Sequence, residues 1–229
     1  MKTVTFKDND ALAQQIVAEL SALKPGARVL IPSGSTPRWV YAALATTDIA
    51  EHLTFFALDE WLKVPVEREG SCLSMINKDF INKCQYPVKL IHFDPFYTRE
   101  QNIAVYEAAL DGAEFDYVIL GVGMNGHIGL NEPGVDFNAD YLVTKLDDIT
   151  IDVASRKYFS GAVILSEGMT VGLNKIINAD KVVVIINNEN KKSVYQEIVK
   201  GDAQSSNVPA VYIKQFPGVN YYITENIEG

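Results

Sequence analysis

Six short runs rich in β-branched and aromatic residues recur along the chain: RVLIP (28–32), LTFFAL (53–58), KLIHF (89–93), FDYVIL (115–120), KVVVII (181–186) and NYYIT (220–224). They are apolar nearly throughout instead of alternating with polar residues, so each reads as a strand covered on both faces, the condition of a parallel sheet. Longer segments with helical spacing separate them, giving the rhythm of repeated strand–helix units. Leu12, Ile16, Leu20 and Leu23 mark a first helix capped at Asp10 and stopped by Pro25-Gly26. Pro37 suits the first turn of a second helix, which carries Trp39, Val40, Tyr41 and Leu44. Further helices are expected over 71–82, 99–110, 168–178 and 190–200, the last ending at Gly201. No repeat, biased tract or linker interrupts the series. The expected fold is α/β: one domain over 1–229, an open, mostly parallel, doubly wound sheet of Rossmann-like type with helices on both faces.

At 229 residues and 48% hydrophobic, the chain can bury one substantial core. Its net charge of −9 argues against a surface built to neutralise nucleic-acid phosphates, although a local basic pocket for one small phosphate is compatible with it. The opening MKTVTFKDNDALAQQ has no apolar signal region and no run of 18 apolar residues occurs, so no membrane partner and a cytoplasmic location are expected. Cys72 and Cys84 are too few for a disulfide scaffold or a four-ligand zinc site, and read as buried or incidental thiols. None of the three histidines, His52, His92 and His127, pairs with another at ligand spacing, so no metal centre is expected.

In open parallel sheets ligands bind beyond the carboxyl ends of the strands, which directs attention to three loops. The first, SGSTP, follows the strand at 28–32 and leads into the helix opened by Pro37. Ser33, Gly34, Ser35 and Thr36 would present free N–H groups, hydroxyls and the positive end of a helix dipole, which suit a phosphate. The same turn also suits an ordinary capped connection, and without Gly-Lys-Ser/Thr it is not a Walker loop. The second, Asp59-Glu60-Trp61, ends an apolar run. A carboxylate there is partly desolvated and becomes a better proton acceptor, as a general base requires, but the dipeptide could equally cap a turn.

The third is GVGMNGHIGLNEPG (121–134), which contains G-x-G-x-x-G at Gly121, Gly123 and Gly126. A dinucleotide cradle needs its last glycine at the start of a helix in the first strand–helix–strand unit. Here Gly129 and Pro133 interrupt any such helix, and the loop lies past the chain's midpoint. What it supplies instead is an imidazole at His127, a carboxylate at Glu132 and side-chain amides at Asn125 and Asn131. That set can take and return protons near neutral pH.

Taken in order, P-S-G-S-T-P (32–37), L-D-E-W (58–61) and G-V-G-M-N-G-H-I-G-L-N-E-P-G (121–134) resemble the glucosamine-6-phosphate deaminase (isomerase) family along nearly the whole chain. The related 6-phosphogluconolactonases share the plan but carry an Asp-Gly-His-Thr loop without Asn-Glu-Pro-Gly. The resemblance implies conversion of an amino-sugar 6-phosphate and water to a ketose 6-phosphate and ammonia, with no metal or redox cofactor. It implies Asp59 as the base moving a proton between C2 and C1, and His127 as the ring-opening acid–base oriented by Glu132. The Gly34–Thr36 turn would form part of the phosphate cradle.

Several positions depart from the family pattern. Asn125 stands where some members have aspartate, leaving Glu132 as the charged partner of His127. In SRKYF (155–159) the count from the aromatic pair selects Lys157 for the phosphate cation while residue type selects Arg156, and Arg156 is preferred. In NENKKSVYQEIVKG (188–201) the better match for a phosphate lysine is Lys191 over Lys192. Trp61 replaces a usual tyrosine, and Glu-Gly-Ser-Cys (69–72) replaces a segment with a Ser-Tyr pair, which leaves galactosamine 6-phosphate as a rival substrate. No effector-building C-terminal segment stands out, so a monomer or small homo-oligomer is expected.

Overall fold

The computed structural model describes residues 1–160 and 163–228. Seven strands form one wholly parallel sheet: β1 (Lys2–Phe6), β2 (Arg28–Ile31), β3 (Thr54–Ala57), β5 (Lys89–Ile91), β6 (Tyr117–Gly121), β9 (Val182–Ile186) and β10 (Val219–Thr224). Their order across the sheet is β1-β10-β9-β6-β2-β3-β5. From β2 the chain builds outward through β3 and β5, then returns to build the other half from β6. The sheet therefore reverses its winding between β2 and β6, which is where such folds open a ligand crevice.

Alternate residues of each strand enter opposite cores. Leu30, Phe56, Val118, Leu120, Val184 and Tyr221 face one side, packed with Tyr106 and Leu110 of α4 (Arg99–Leu110) and Val194 and Ile198 of α7 (Lys192–Lys200). Val29, Ile31, Phe55, Ile119, Val183 and Tyr222 face the other, packed with Leu12, Ile16 and Leu20 of α1 (Asn9–Ser21) and Tyr41 and Leu44 of α2 (Arg38–Leu44). This double burial is why the strands show no polar alternation. Burying each Val, Leu, Ile or Phe contributes roughly 1.5–3 kcal/mol, so the central strands anchor the domain.

The structure departs from the expected elements in several places, among them α5 (Asp148–Lys157), a helix absent from the expected set. The edge strand β1 has no counterpart in the sequence reading; KTVTF is exposed at its start and is ordered by parallel pairing with β10, some 218 residues away. The cap of α1 is Asp8, which accepts from the Ala11 N–H at 2.9 Å, and not Asp10, which lies within the helix. The expected helix over 168–178 is instead a strand, β8 (Glu167–Val171), followed by a short helix, α6 (Leu173–Ile177). Finally, β8 joins two strands lacking from the expected set, β4 (Asp59–Trp61) and β7 (Tyr141–Lys145), in a small antiparallel sheet ordered β4-β8-β7. Tertiary pairing overrode the local helical pattern of 168–171.

This second sheet sets the site. Leu58 bonds the main sheet through its N–H, to the Ile31 carbonyl at 2.8 Å, and the small sheet through its carbonyl, which accepts from Val171 N–H at 2.9 Å. Asp59 thus follows the hinge between two sheets, each of which fixes the backbone on one side. Among the described residues no helix is long and apolar enough to cross a membrane.

Candidate active site

A cleft lies over the β2/β6 crevice. Its walls bring together Ser33, Gly34, Ser35 and Thr36 after β2, Asp59 of β4, His127 from the loop after β6, Lys157 and Lys191. Stretches separated by up to 158 positions in sequence thus share one cavity.

Asp59 sits at its floor. The residue is 7% exposed, and Oδ1 has no hydrogen-bond partner among the described residues. Burial pushes the carboxyl up to about 6, against the lowering influence of the Cys72 thiol and His127. Its neighbour Glu60 is more deeply buried and has another task. It accepts from Trp61 N–H at 2.9 Å, Cys72 N–H at 2.8 Å and Leu73 N–H at 2.9 Å, and so binds β4 to the start of α3 (Cys72–Asp79). Burial still holds the Glu60 carboxyl up at about 7.

The glycine-rich loop positions the imidazole. His127 Nδ1 lies 3.1 Å from Thr150 Oγ1 and 3.5 Å from Glu132 Oε2. Asn125 Nδ2 donates to the same Glu132 oxygen at 2.9 Å, while Asn125 Oδ1 accepts from His127 N–H at 3.2 Å. Burial alone would raise the Glu132 carboxyl, but His127, Thr150 and Asn125 outweigh it and hold it below the usual carboxylate value. With Nδ1 engaged, Nε2 is the ring nitrogen available to a bound molecule. Gly123 is required by this packing, since a Cβ there would lie 2.2 Å from both Cε1 and Nε2 of the ring. Asn131 is structural: its Nδ2 donates to the carbonyls of Ile128 and Val171, both at 2.9 Å, tying the loop to β8.

Elsewhere in the cleft, hydroxyl, backbone and ammonium groups suited to an anion come together. Ser33–Thr36 precede α2, and Lys157 Nζ donates to Ser35 Oγ at 2.9 Å while lying 5.2 Å from the Tyr158 ring centroid. Gly34 has φ +86°, and a Cβ there would come 3.0 Å from the Tyr158 hydroxyl oxygen. Lys191 is half-buried, and desolvation together with the neighbouring Lys157 lowers its ammonium to about 8. Two cations held together with no ion-paired carboxylate among the described residues favour an anion between them.

Arg156, the preferred phosphate cation of the sequence reading, is not among these residues. Its side chain is 78% exposed and pairs with Asp152, one turn earlier on α5 (Asp148–Lys157). One residue is 100° of helix rotation, enough to turn Arg156 outward and Lys157 toward Ser35. Residue type favoured the guanidinium; the register of α5 points the ammonium at the turn. Thr150, on the same helix, had no signal in the sequence, because its contact to His127 exists only once α5 packs across the cleft. Cys72, read as a buried or incidental thiol, is buried at the start of α3. Among the described residues no group of His, Cys, Asp or Glu is arranged to hold a metal ion.

The family model described as glucosamine-6-phosphate isomerases/6-phosphogluconolactonase matches residues 7–220. The chain belongs to this family. Among other members, a glucosamine-6-phosphate deaminase of Listeria innocua is 28% identical over 190 residues, spanning 82% of this chain and 81% of its own. That of Thermoanaerobacter pseudethanolicus is 28% identical over 230 residues, covering 96% of this chain and 90% of its own length. A solved monomeric glucosamine-6-phosphate deaminase has the same fold, with TM-score 0.87 at 24% identity over 100% of this chain and 99% of that one. The 6-phosphogluconolactonase of Thermotoga maritima matches at TM-score 0.74 and 20% identity over 97% of both chains. Both branches of the family therefore share this architecture, and the site residues have to distinguish between them.

Proposed function

We propose that the protein is an amino-sugar-phosphate deaminase, converting glucosamine 6-phosphate or its galactosamine epimer, with water, to the ketose 6-phosphate and ammonia. The observation that carries this reading is Asp59: a buried carboxylate with a bare oxygen, on the floor of the cleft that also holds His127 and the anion cradle. Opening a lactone calls for an activated water and makes no use of a carbon-acid base. Removing a proton from a sugar carbon does.

The sugar phosphate is anchored by the Ser33–Thr36 turn, Lys157 and Lys191, which leaves its ring over Asp59 and His127. His127, steadied through Nδ1 by Glu132 and Thr150, relays the proton between the ring oxygen and the anomeric hydroxyl, and the ring opens to the aldehyde. Asp59 then takes the C2 proton and returns it to C1, so the amine-bearing C2 becomes an iminium. Water adds at C2, ammonia leaves, and the ketose remains. A carboxyl held near 6 is a stronger base than a solvated one while still ionised at neutral pH, the compromise proton transfer from carbon needs. Asn125 serves through Glu132, and Lys157 takes the phosphate role in preference to Arg156. The reading has the protein working without metal or redox cofactor on a small sugar phosphate, as a monomer or small homo-oligomer in the cytoplasm.

The test is turnover of purified protein with glucosamine 6-phosphate, galactosamine 6-phosphate and 6-phosphogluconolactone in parallel, scoring ammonium, ketose and acid release. Ammonium with one of the amino sugars is the expected result. Lactone opening without ammonium would overturn the reading, and phosphate-dependent binding of the sugars with no turnover would mark a sensor.

A further inference from the structure

Gly34 is the one residue of the Ser33–Thr36 turn at positive φ, and what stands where its side chain would be is a phenol: a Cβ there would lie 3.0 Å from the Tyr158 hydroxyl oxygen. Tyr158 caps the C-terminus of α5 and follows Lys157, whose ammonium bonds the next hydroxyl of the same turn, Ser35 Oγ, at 2.9 Å. Both residues line the cleft together with the turn itself. The phenol is held in place from several sides. Lys157 Nζ stands 5.2 Å from the ring centroid, and the Tyr158 N–H donates to the Ala154 carbonyl at 2.9 Å. Gly70 abuts the Tyr158 backbone so closely that a Cβ there would come 2.5 Å from the Tyr158 carbonyl oxygen.

We infer that the Tyr158 hydroxyl is a donor to the anion held at the Ser33–Thr36 turn, the directional partner of the Lys157 charge. This rests on the reading of that turn as the phosphate site. A lysine ammonium is a compact charge on a flexible stem, so it attracts an anion but does little to orient it, whereas a guanidinium would present a planar fork of donors. The guanidinium nearest in sequence, Arg156, is turned outward to Asp152. A phenol beside the ammonium supplies the missing fixed donor, with only two side-chain torsions to hold. Burial, the largest influence on it, pushes the phenol up to about 12, so it keeps its proton through the neutral range and donates it. Glycine at 34 is then needed twice, for the left-handed turn and for the room it leaves the phenol oxygen against the turn's backbone.

The experiment titrates inorganic phosphate into the purified protein, followed by calorimetry and by ¹³Cζ NMR of tyrosine-labelled wild type, with Tyr158→Phe identifying the Tyr158 resonance. Phosphate should move that resonance saturably, with the same midpoint as the heat. Tyr158→Phe keeps the ring beside Lys157 and removes only the oxygen. It should weaken phosphate about tenfold, the loss of one hydrogen bond to a charged group, and kcat/KM for the amino-sugar phosphate should fall by the same factor. Lys157→Ala is the control for the cradle. A resonance that phosphate leaves in place would overturn the inference. So would Tyr158→Phe binding phosphate within about twofold of wild type while Lys157→Ala binds it more than about tenfold worse, a result that spares the cradle. Unchanged phosphate affinity in both variants would remove the cradle and the inference with it. A tenfold loss in Tyr158→Phe, in a protein that releases no ammonium from either amino sugar, would uphold the phenol's role and remove the deaminase reading instead.

Discussion

Replacing Asp59 with asparagine should abolish turnover and also stabilise the protein in a pH-dependent way. A carboxyl pushed by burial from 3.8 to about 6 destabilises the ionised native state by about 3 kcal/mol, at 1.36 kcal/mol per pH unit. The sign follows from proton binding. Below about pH 4 the group is protonated in both folded and unfolded states and contributes nothing. Between about 4 and 6 the unfolded chain ionises first, so the native state loses stability as pH rises, and the full penalty is present above 6. Asp59→Asn removes this penalty, so its advantage over wild type should grow by about 3 kcal/mol from pH 3.5 to pH 8. For a chain of this size that corresponds to about 6–12 °C in Tm. Any fixed cost of seating the amide offsets both pH values equally and leaves the difference intact. Release of Glu60, which Asp59 also helps to keep protonated, would add to the gain. Chemical denaturation of both proteins at the two pH values measures the quantity. Parallel stability curves would show that Asp59 is not ionised against its burial, and the account of it as a strengthened base would fail with them.

Gly123→Ala should lower kcat at least a hundredfold while leaving inorganic phosphate binding within about twofold, because the new methyl displaces the imidazole and not the cradle; steady-state kinetics and calorimetry separate the two. Lys157→Ala should raise KM for the sugar phosphate more than tenfold, the loss of one charge-assisted bond of about 1.5–3 kcal/mol, whereas Arg156→Ala should leave it unchanged; equal effects would reverse the assignment made from the register of α5. Inorganic phosphate affinity should decline as pH rises through about 8, where free Lys191 loses its proton, and Lys191→Arg should flatten that decline. A pH-independent affinity in wild type would take Lys191 out of the cradle.

Much of this protein was written locally. Runs such as VVVII (182–186) bury every residue on one face or the other, so their composition alone demands a sheet covered twice, and six of the seven parallel strands follow from it. The three polar loops sit at strand ends and could be picked out because glycine, serine and acidic residues have no packing reason to gather there. Long-range pairing decided the rest. Lys2–Phe6 is a strand because β10 offers it an edge, and 167–171 is extended because Asp59–Trp61 and Tyr141–Lys145 flank it. That small sheet holds Asp59 in the cleft lining, and packing of α5 across the opening brings Thr150 to His127 and points Lys157, not Arg156, at Ser35. Neither contact has a local signature, since each depends on groups brought together only by the closed fold. The chemistry was in the residue types; the convergence of carboxylate, imidazole and cations on one cavity came from the tertiary arrangement, which alone removes water from Asp59.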